Sequence, residues 1–229
     1  MSESLIEDVR RRLLGRKRRK IQQRLLALRD RPINYDPDAP HDPEHGWRID
    51  DYCEQLPPEA PGEPVEGGPF MVAQKLLRDY KVADPRMVVA HYDHNAELEG
   101  RNMLLEVHFK GIVTYAGCRV GPVKDEQREE GGRPVRVWGW PYQTLEGHFE
   151  QGQMSWEVWK WLDTGQVQFR IHSYSRLVGS HNPFIVIGVR VFGQWQRRLY
   201  LTSACRRIRE LTEEGLRGEH PAGVEVGAA

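Results

Sequence analysis

The sequence predicts an α+β fold, in which an antiparallel sheet carries helices segregated from it. Three observations lead there. The middle of the chain reads as consecutive strands with no helix between them, which favours antiparallel pairing. A helical apolar pattern runs from Ser4 to Arg29. A longer one runs from Pro183 to Leu211. The 229 residues suit one domain with a terminal extension.

In the first helix Ile6, Val9, Leu13 and Leu14, then Ile21, Leu25 and Leu28, recur at helical spacing. Between them "RRRLLGRKRRK" places eight basic residues from Arg10 to Lys20. Residues 5–29 could therefore meet an anionic surface, nucleic acid or a protein partner, or else dock by the leucine stripe on their own domain or on a partner chain. Residues 1–31 hold eleven basic and four acidic side chains, whereas residues 35–66 hold ten acidic ones and only Arg48 on the basic side. The two segments could neutralise one another. Over the whole chain 33 basic residues balance 33 acidic ones, so net charge alone points to neither a nucleic-acid nor a membrane partner.

Residues 31–68 are rich in Pro, Gly, Asp and Glu and read as a long irregular connection, with short extended pieces around Ile33–Tyr35 and Trp47–Ile49. Pro69 to Tyr80 is helical, with Pro69 in the first turn and Phe70, Ala73, Leu76 and Leu77 on one face. Strands follow at Met87–Tyr92, Asn102–Phe109 and Gly111–Val120. "KDEQREEGGRP" (Lys124–Pro134) reads as a charged turn and Arg136–Trp140 as a strand. Met154–Leu162 and Gln166–Tyr174 form a hairpin around Asp163-Thr164-Gly165. Its second arm sends Val167, Phe169, Ile171 and Ser173 to one side. In the last helix Phe192, Trp195, Leu199, Thr202, Cys205 and Ile208 form the expected buried stripe. A break is expected near Gly188 or Gly193, and Arg197, Arg198, Arg206, Arg207 and Arg209 are expected to face solvent. The expected organisation is an N-terminal extension (1–31), an irregular lead-in (32–68), a main α+β domain (69–214) and a loose tail (215–229).

Three cysteines, Cys53, Cys118 and Cys205, are odd in number and widely spaced, so neither a disulfide framework nor a zinc pattern is present. No apolar run reaches the length of a membrane span, and the basic N-terminus has no apolar segment of the secretory kind. The expectation is a cytoplasmic protein with no transmembrane segment, no metal and no cofactor. His41 and His45 are too loosely spaced to define a metal site, and His91 with Asp93, which could share a strand face, supply only two ligands.

No familiar catalytic signature is present. The densest polar stretch is "GWPYQTLEGHFEQG", Gly139–Gly152. Tyr142, Thr144, His148 and Glu150 could rim a pocket lined by aromatics such as Trp140; five of the seven tryptophans fall within 24 residues here. His148, oriented by Glu150 or working with Tyr142, is the candidate for acid–base chemistry. The same residues could equally tie down the loop's own backbone, with Gly147 and Gly152 supplying unusual dihedrals. Ser175 and Arg176 end the hairpin, and Arg119 lies opposite Cys118 and Val120 on its strand; both arginines are candidate partners for an acidic ligand group or for a carboxylate of the chain.

"WPYQTLEGHFEQGQ", "WLDTGQVQFRIHSYSR" and "GQWQRRLY", with "GGPFMVAQKLLRDY" and "GCRVGPV" upstream, resemble the bacterial and plant family called domain of unknown function 1990. The resemblance covers about residues 33–211. Gln143 departs from its usual Gly, and Gln153-Met154 from its acidic pair. It implies a helix-grip-like, START-like fold: a curved antiparallel sheet wrapped around a long C-terminal helix, with an extra N-terminal helix in this chain. It also implies a cavity between sheet and helix of the kind that holds a small hydrophobic or amphipathic molecule. From the residues themselves, Tyr142, Thr144, His148, Glu150, Ser175, Arg176, Arg119 and Trp140 are the candidate contacts. The alternatives are an enzyme using His148, Glu150 and Tyr142, and an interaction protein acting through residues 5–29.

Overall fold

A computed structural model describes residues 3–109, 111–178 and 183–218; the side chains before residue 14, of residue 109 and of residues 183–194 lie outside that description. The chain runs α1 (Glu3–Leu26), β1 (Arg48–Leu56), α2 (Pro69–Arg78), β2 (Val88–His91), β3 (Asn102–Phe109), β4 (Ile112–Val120), β5 (Lys124–Glu130), β6 (Arg133–Thr144), β7 (Glu150–Trp161), β8 (Val167–Leu177) and α3 (Pro183–Leu216). All pairings are antiparallel, in the order β1-β8-β7-β6-β4-β3-β2. β4 and β5 share one edge of β6: Cys118–Val120 pair with Tyr142–Thr144, and Lys124–Glu130 pair with Arg133–Gly139. The predicted α+β class, with its long C-terminal helix and extra N-terminal helix, is the one adopted.

Strand alternation divides the sheet's side chains between two faces. The inner face carries Tyr142, Trp140 and Trp138 from β6, Met154, Trp156 and Val158 from β7, and Phe169 and Ile171 from β8. Helices α2 and α3 close over it, α2 through Phe70, Ala73, Leu76 and Leu77, α3 through Leu201, Ala204, Cys205, Ile208 and Leu211. Each large apolar side chain buried there contributes about 1.5–3 kcal/mol. The outer face is covered at one edge by the end of α1, where Leu28 packs with Leu104 and Leu145 beside Ile21 and Leu25. Gly117 permits that approach: a Cβ there would stand 2.5 Å from a Leu28 methyl.

Four expectations are corrected. The irregular stretch 32–68 contains a nine-residue strand, β1, paired along its length with β8. The charged turn at Lys124–Pro134 is largely strand β5. α3 continues without a break through Gly188 and Gly193 and runs past residue 215 to Leu216, while the rest of the expected tail, residues 219–229, lies outside the described residues. Its buried stripe is also rotated: Leu201, Ala204, Ile208 and Leu211 face the core, whereas Trp195, Leu199 and Thr202 are exposed. The expected stripe member Phe192 lies outside the described side chains.

Candidate functional site

Much of the Gly139–Gly152 stretch is strand. Residues through Thr144 belong to β6, those from Glu150 to β7, and the turn lies between. This turn marks one end of the sheet, here called the mouth.

Thr144 is buried in the turn's own framework. Its hydroxyl donates to Asn34 Oδ1 (2.6 Å) and accepts the Gly152 N–H (2.9 Å). Asn34 donates in turn to the Glu150 carbonyl (3.0 Å). Gly152, at φ +140°, passes so close to β8 that a Cβ would lie 2.0 Å from the Tyr174 carbonyl oxygen. His148 is buried, and its Nδ1 accepts the N–H of Glu150 (2.9 Å). Burial, with the charge of Arg197 adding to it, lowers its pKa to about 4. The ring is therefore neutral at physiological pH, with its proton on Nε2. The Tyr142 hydroxyl donates to Met154 Sδ (3.4 Å). The side chains of His148, Glu150 and Tyr142 thus turn to three different partners.

The Glu150 carboxylate faces inward, and the residue that meets it is Arg197 of α3, which was expected to face solvent. Arg197 Nη1 donates to Glu150 (3.0 Å), Nε to Asp50 of β1 (2.7 Å) and Nη2 to the Ser173 hydroxyl of β8 (2.7 Å). Arg48 completes the cluster, donating to Ser175 Oγ (3.3 Å) and standing 3.4 Å from Asp50 and 3.5 Å from Glu150. Two guanidinium groups face two carboxylates, so the mouth is polar but electrically balanced. Arg197 lies four residues before Leu201 and so continues the buried stripe 197–201–204–208, a spacing that identifies it once the register of α3 is known.

One step deeper lies an aromatic layer. Trp140 and Trp156 are cross-strand partners, 1% and 0% exposed. Tyr80 packs against both, with ring centroids 6.0 and 5.9 Å away, and its hydroxyl meets that of Tyr200 (2.8 Å). Burial raises the pKa of Tyr80, Tyr142 and Tyr200, so all three remain neutral phenols. Tyr80 sits at φ +51°, a conformation that a bulky residue adopts at a cost of about 1–3 kcal/mol. Neither the Trp140 nor the Trp156 indole N–H finds a hydrogen-bond partner among the described residues.

Two candidates sit on the outer face. Arg119 donates to the carbonyls of Leu28, Arg29 and Arg31 (3.0–3.1 Å), closing the end of α1. Arg176 donates to Gln151 (2.7 Å) and lies over Trp47 at 4.5 Å. The outer face also holds a shallow groove of about 250 Å³ lined by Asp51, Cys53, Glu157, Trp159, Arg170 and His172. Burial pushes the Cys118 thiol up, away from reactivity. Among the described residues no group of three or more His, Cys, Asp or Glu side chains is placed to hold a metal ion, and no helix is long and apolar enough to cross a membrane.

A family model described as "Domain of unknown function (DUF1990)" matches residues 35–205. No curated protein matches the sequence. Among solved structures, the chain is similar to Ara h 8.0201 (9% identity over 74% of this chain and 99% of that one, TM-score 0.42). It is also similar to a Thalictrum flavum norcoclaurine synthase point mutant in complex with a transition-state analogue (10% identity, 73% and 95%, TM-score 0.45), and to the ZhuI aromatase/cyclase from Streptomyces sp. R1128 (13% identity, 77% and 98%, TM-score 0.43).

Proposed function

The chain belongs to the family described as domain of unknown function 1990, and we propose that it binds a small amphipathic molecule between the sheet and α3, polar end toward the mouth. The observation that carries this reading is the pair of buried indole donors on Trp140 and Trp156. A buried donor left unpaired costs about 1–3 kcal/mol. Two of them side by side, on adjacent strands and facing the helices, favour an occupant that brings hydrogen-bond acceptors into an otherwise apolar layer.

The surroundings support the same class of ligand. From the mouth inward the inner face grades from charged and hydroxylated groups (Arg48, Asp50, Glu150, Ser173, Ser175) to aromatics (Tyr142, Trp140, Trp156) and then to a layer of Trp138, Val158 and Phe169. Because the mouth charges are balanced, they suit hydroxyl or carbonyl groups better than a bare anion. In this reading Tyr142, Trp140, Glu150 and Ser175 contact ligand. Thr144, His148, Arg119 and Arg176 maintain the frame. Beneath the described part of α3, Tyr80, Tyr200, Trp156 and Phe169 pack together, which favours a ligand site toward the mouth over one along the whole helix.

Native mass spectrometry of the full chain tests this. The expected result is an adduct of small-molecule mass, released by organic solvent, regained from a total lipid extract, and lost in the folded Trp140→Phe/Trp156→Phe double variant. Bare-chain mass in every preparation, with nothing regained from the extract, overturns it.

A further inference from the structure

The mouth also gathers features that the bound-ligand reading leaves unused. At the tip of the β3–β4 hairpin Ile112 and Val113 are 66% and 48% exposed. Their strand is tied to both flanking helices. Val113 pairs with His108; the His108 carbonyl accepts Gln196 Nε2 of α3 (3.2 Å); and the His108 ring meets Glu106 (2.9 Å), which accepts Lys17 of α1 (2.7 Å). Next to Gln196 stands Trp195, 58% exposed. On α1 the exposed residues around Lys17 include Arg16, Arg19 and Lys20, and no acidic residue occurs between Asp8 and Asp30. Ile112, paired with Phe109, stands about 10 Å beyond Glu106 along the strand, roughly one Debye length from Lys17.

We propose that this end of the molecule docks on an anionic phospholipid surface, with Ile112, Val113 and Trp195 entering the headgroup boundary and the α1 cations held over it. The charge is complementary: a basic helix beside an apolar tip is the pairing that interfacial binding requires. Indole side chains favour the interface because one end is apolar and the other a donor. A nucleic-acid partner would use the cations and leave the aliphatic tip without a role. The carboxylate nearest the cations, Glu106, is buried and already paired with Lys17, His91 and His108, so it adds little repulsion.

Co-sedimentation of the full chain with vesicles tests the proposal, comparing phosphatidylcholine alone with phosphatidylcholine mixed with phosphatidylserine. The chain should pellet only with the mixed vesicles, and less as salt rises. Arg16→Glu/Arg19→Glu/Lys20→Glu should weaken partitioning at least about a hundred-fold, from roughly five-fold for each basic residue removed from the surface, with the added carboxylates repelled in turn. Ile112→Ser/Val113→Ser, at an exposed hairpin tip, should remove the salt-resistant part of binding while leaving thermal unfolding unchanged. Equal pelleting on both vesicle types, or full binding by either variant, overturns the proposal. So does displacement from vesicles by a duplex oligonucleotide combined with indifference to the tip variant. The wild-type salt series and the tip variant decide the matter even if the charge-reversed chain fails to fold.

Discussion

Two ionic clusters sit at opposite ends of the same inner face, and they are built differently. At the far end Lys160 of β7 is 0% exposed and makes one closed pair with Glu59 (2.7 Å), plus a bond to the Glu63 carbonyl (2.8 Å). Glu59 also accepts the N–H groups of Val65 and of Phe70 in the first turn of α2. At the mouth, Arg197 and Arg48 share Asp50, Glu150, Ser173 and Ser175, and the group is only partly buried. One cation with one anion, out of water, is a clamp that seals the 57–68 segment onto the sheet. Several polar groups at a partly solvated edge hold α3 to three strands while leaving surface for a solute. Ionic groups under the same helix layer thus close one end and leave the other polar and partly solvated.

Breaking the clamp should have the largest effect. Lys160→Met leaves Glu59 buried without its cation and should cost about 3–5 kcal/mol in urea unfolding; adding Glu59→Gln should recover part of that loss. Recovery of nothing would mean that Glu59 is held by its bonds to the backbone and not by Lys160. Arg197→Met should cost less, about 1.5–3 kcal/mol, because Arg48 and water still serve the two carboxylates. A loss larger than that of Lys160→Met would reverse the comparison.

Smaller effects belong to the turn that frames the mouth. Thr144→Val removes the acceptor for the Gly152 N–H and should cost about 1–3 kcal/mol, with faster hydrogen exchange confined to Gly152 and its neighbours. An exchange pattern that spreads to β8 as a whole would show that Thr144 supports more than the turn. His148 makes the mouth acid-sensitive. Its folded pKa of about 4 lies below the ordinary 6.5, so the unfolded chain takes up the proton first. The contribution is fully present above pH 6.5 and is lost as pH falls to about 4. His148→Gln should flatten the decline of stability across that window; an unchanged slope would place the titrating group elsewhere.

The elements legible in the sequence are those whose burial alternates. Val167, Phe169, Ile171 and Ser173 share one face of β8 because a strand with one buried face must alternate, and period two alone assigns them to it. β5 gave no such signal: Lys124–Glu130 is charged on both faces, and only its pairing with β6 makes it a strand. β1 was hidden for a related reason, being an acidic edge strand in a Pro-rich stretch whose partner β8 lies more than a hundred residues away in sequence. In α3 the large apolar side chains of Trp195 and Leu199 drew the stripe toward the exposed face, and Arg197 was placed in solvent as a consequence. Tertiary partners, in this case two carboxylates from β1 and β7, decide where an arginine lies. The motif residues were found, but which of them frame the turn and which face inward depended on Asn34 and Arg197, neither of which is local to the motif.

Whether the Trp140 and Trp156 indoles meet a bound acceptor can be read from their own N–H resonances. Seven indole signals are expected from the seven tryptophans, with two assigned by Trp140→Phe and Trp156→Phe. Removing the ligand with organic solvent and restoring it from the extract should shift those two signals reversibly. If neither moves, or if only Trp195 responds, the interior does not hold the molecule.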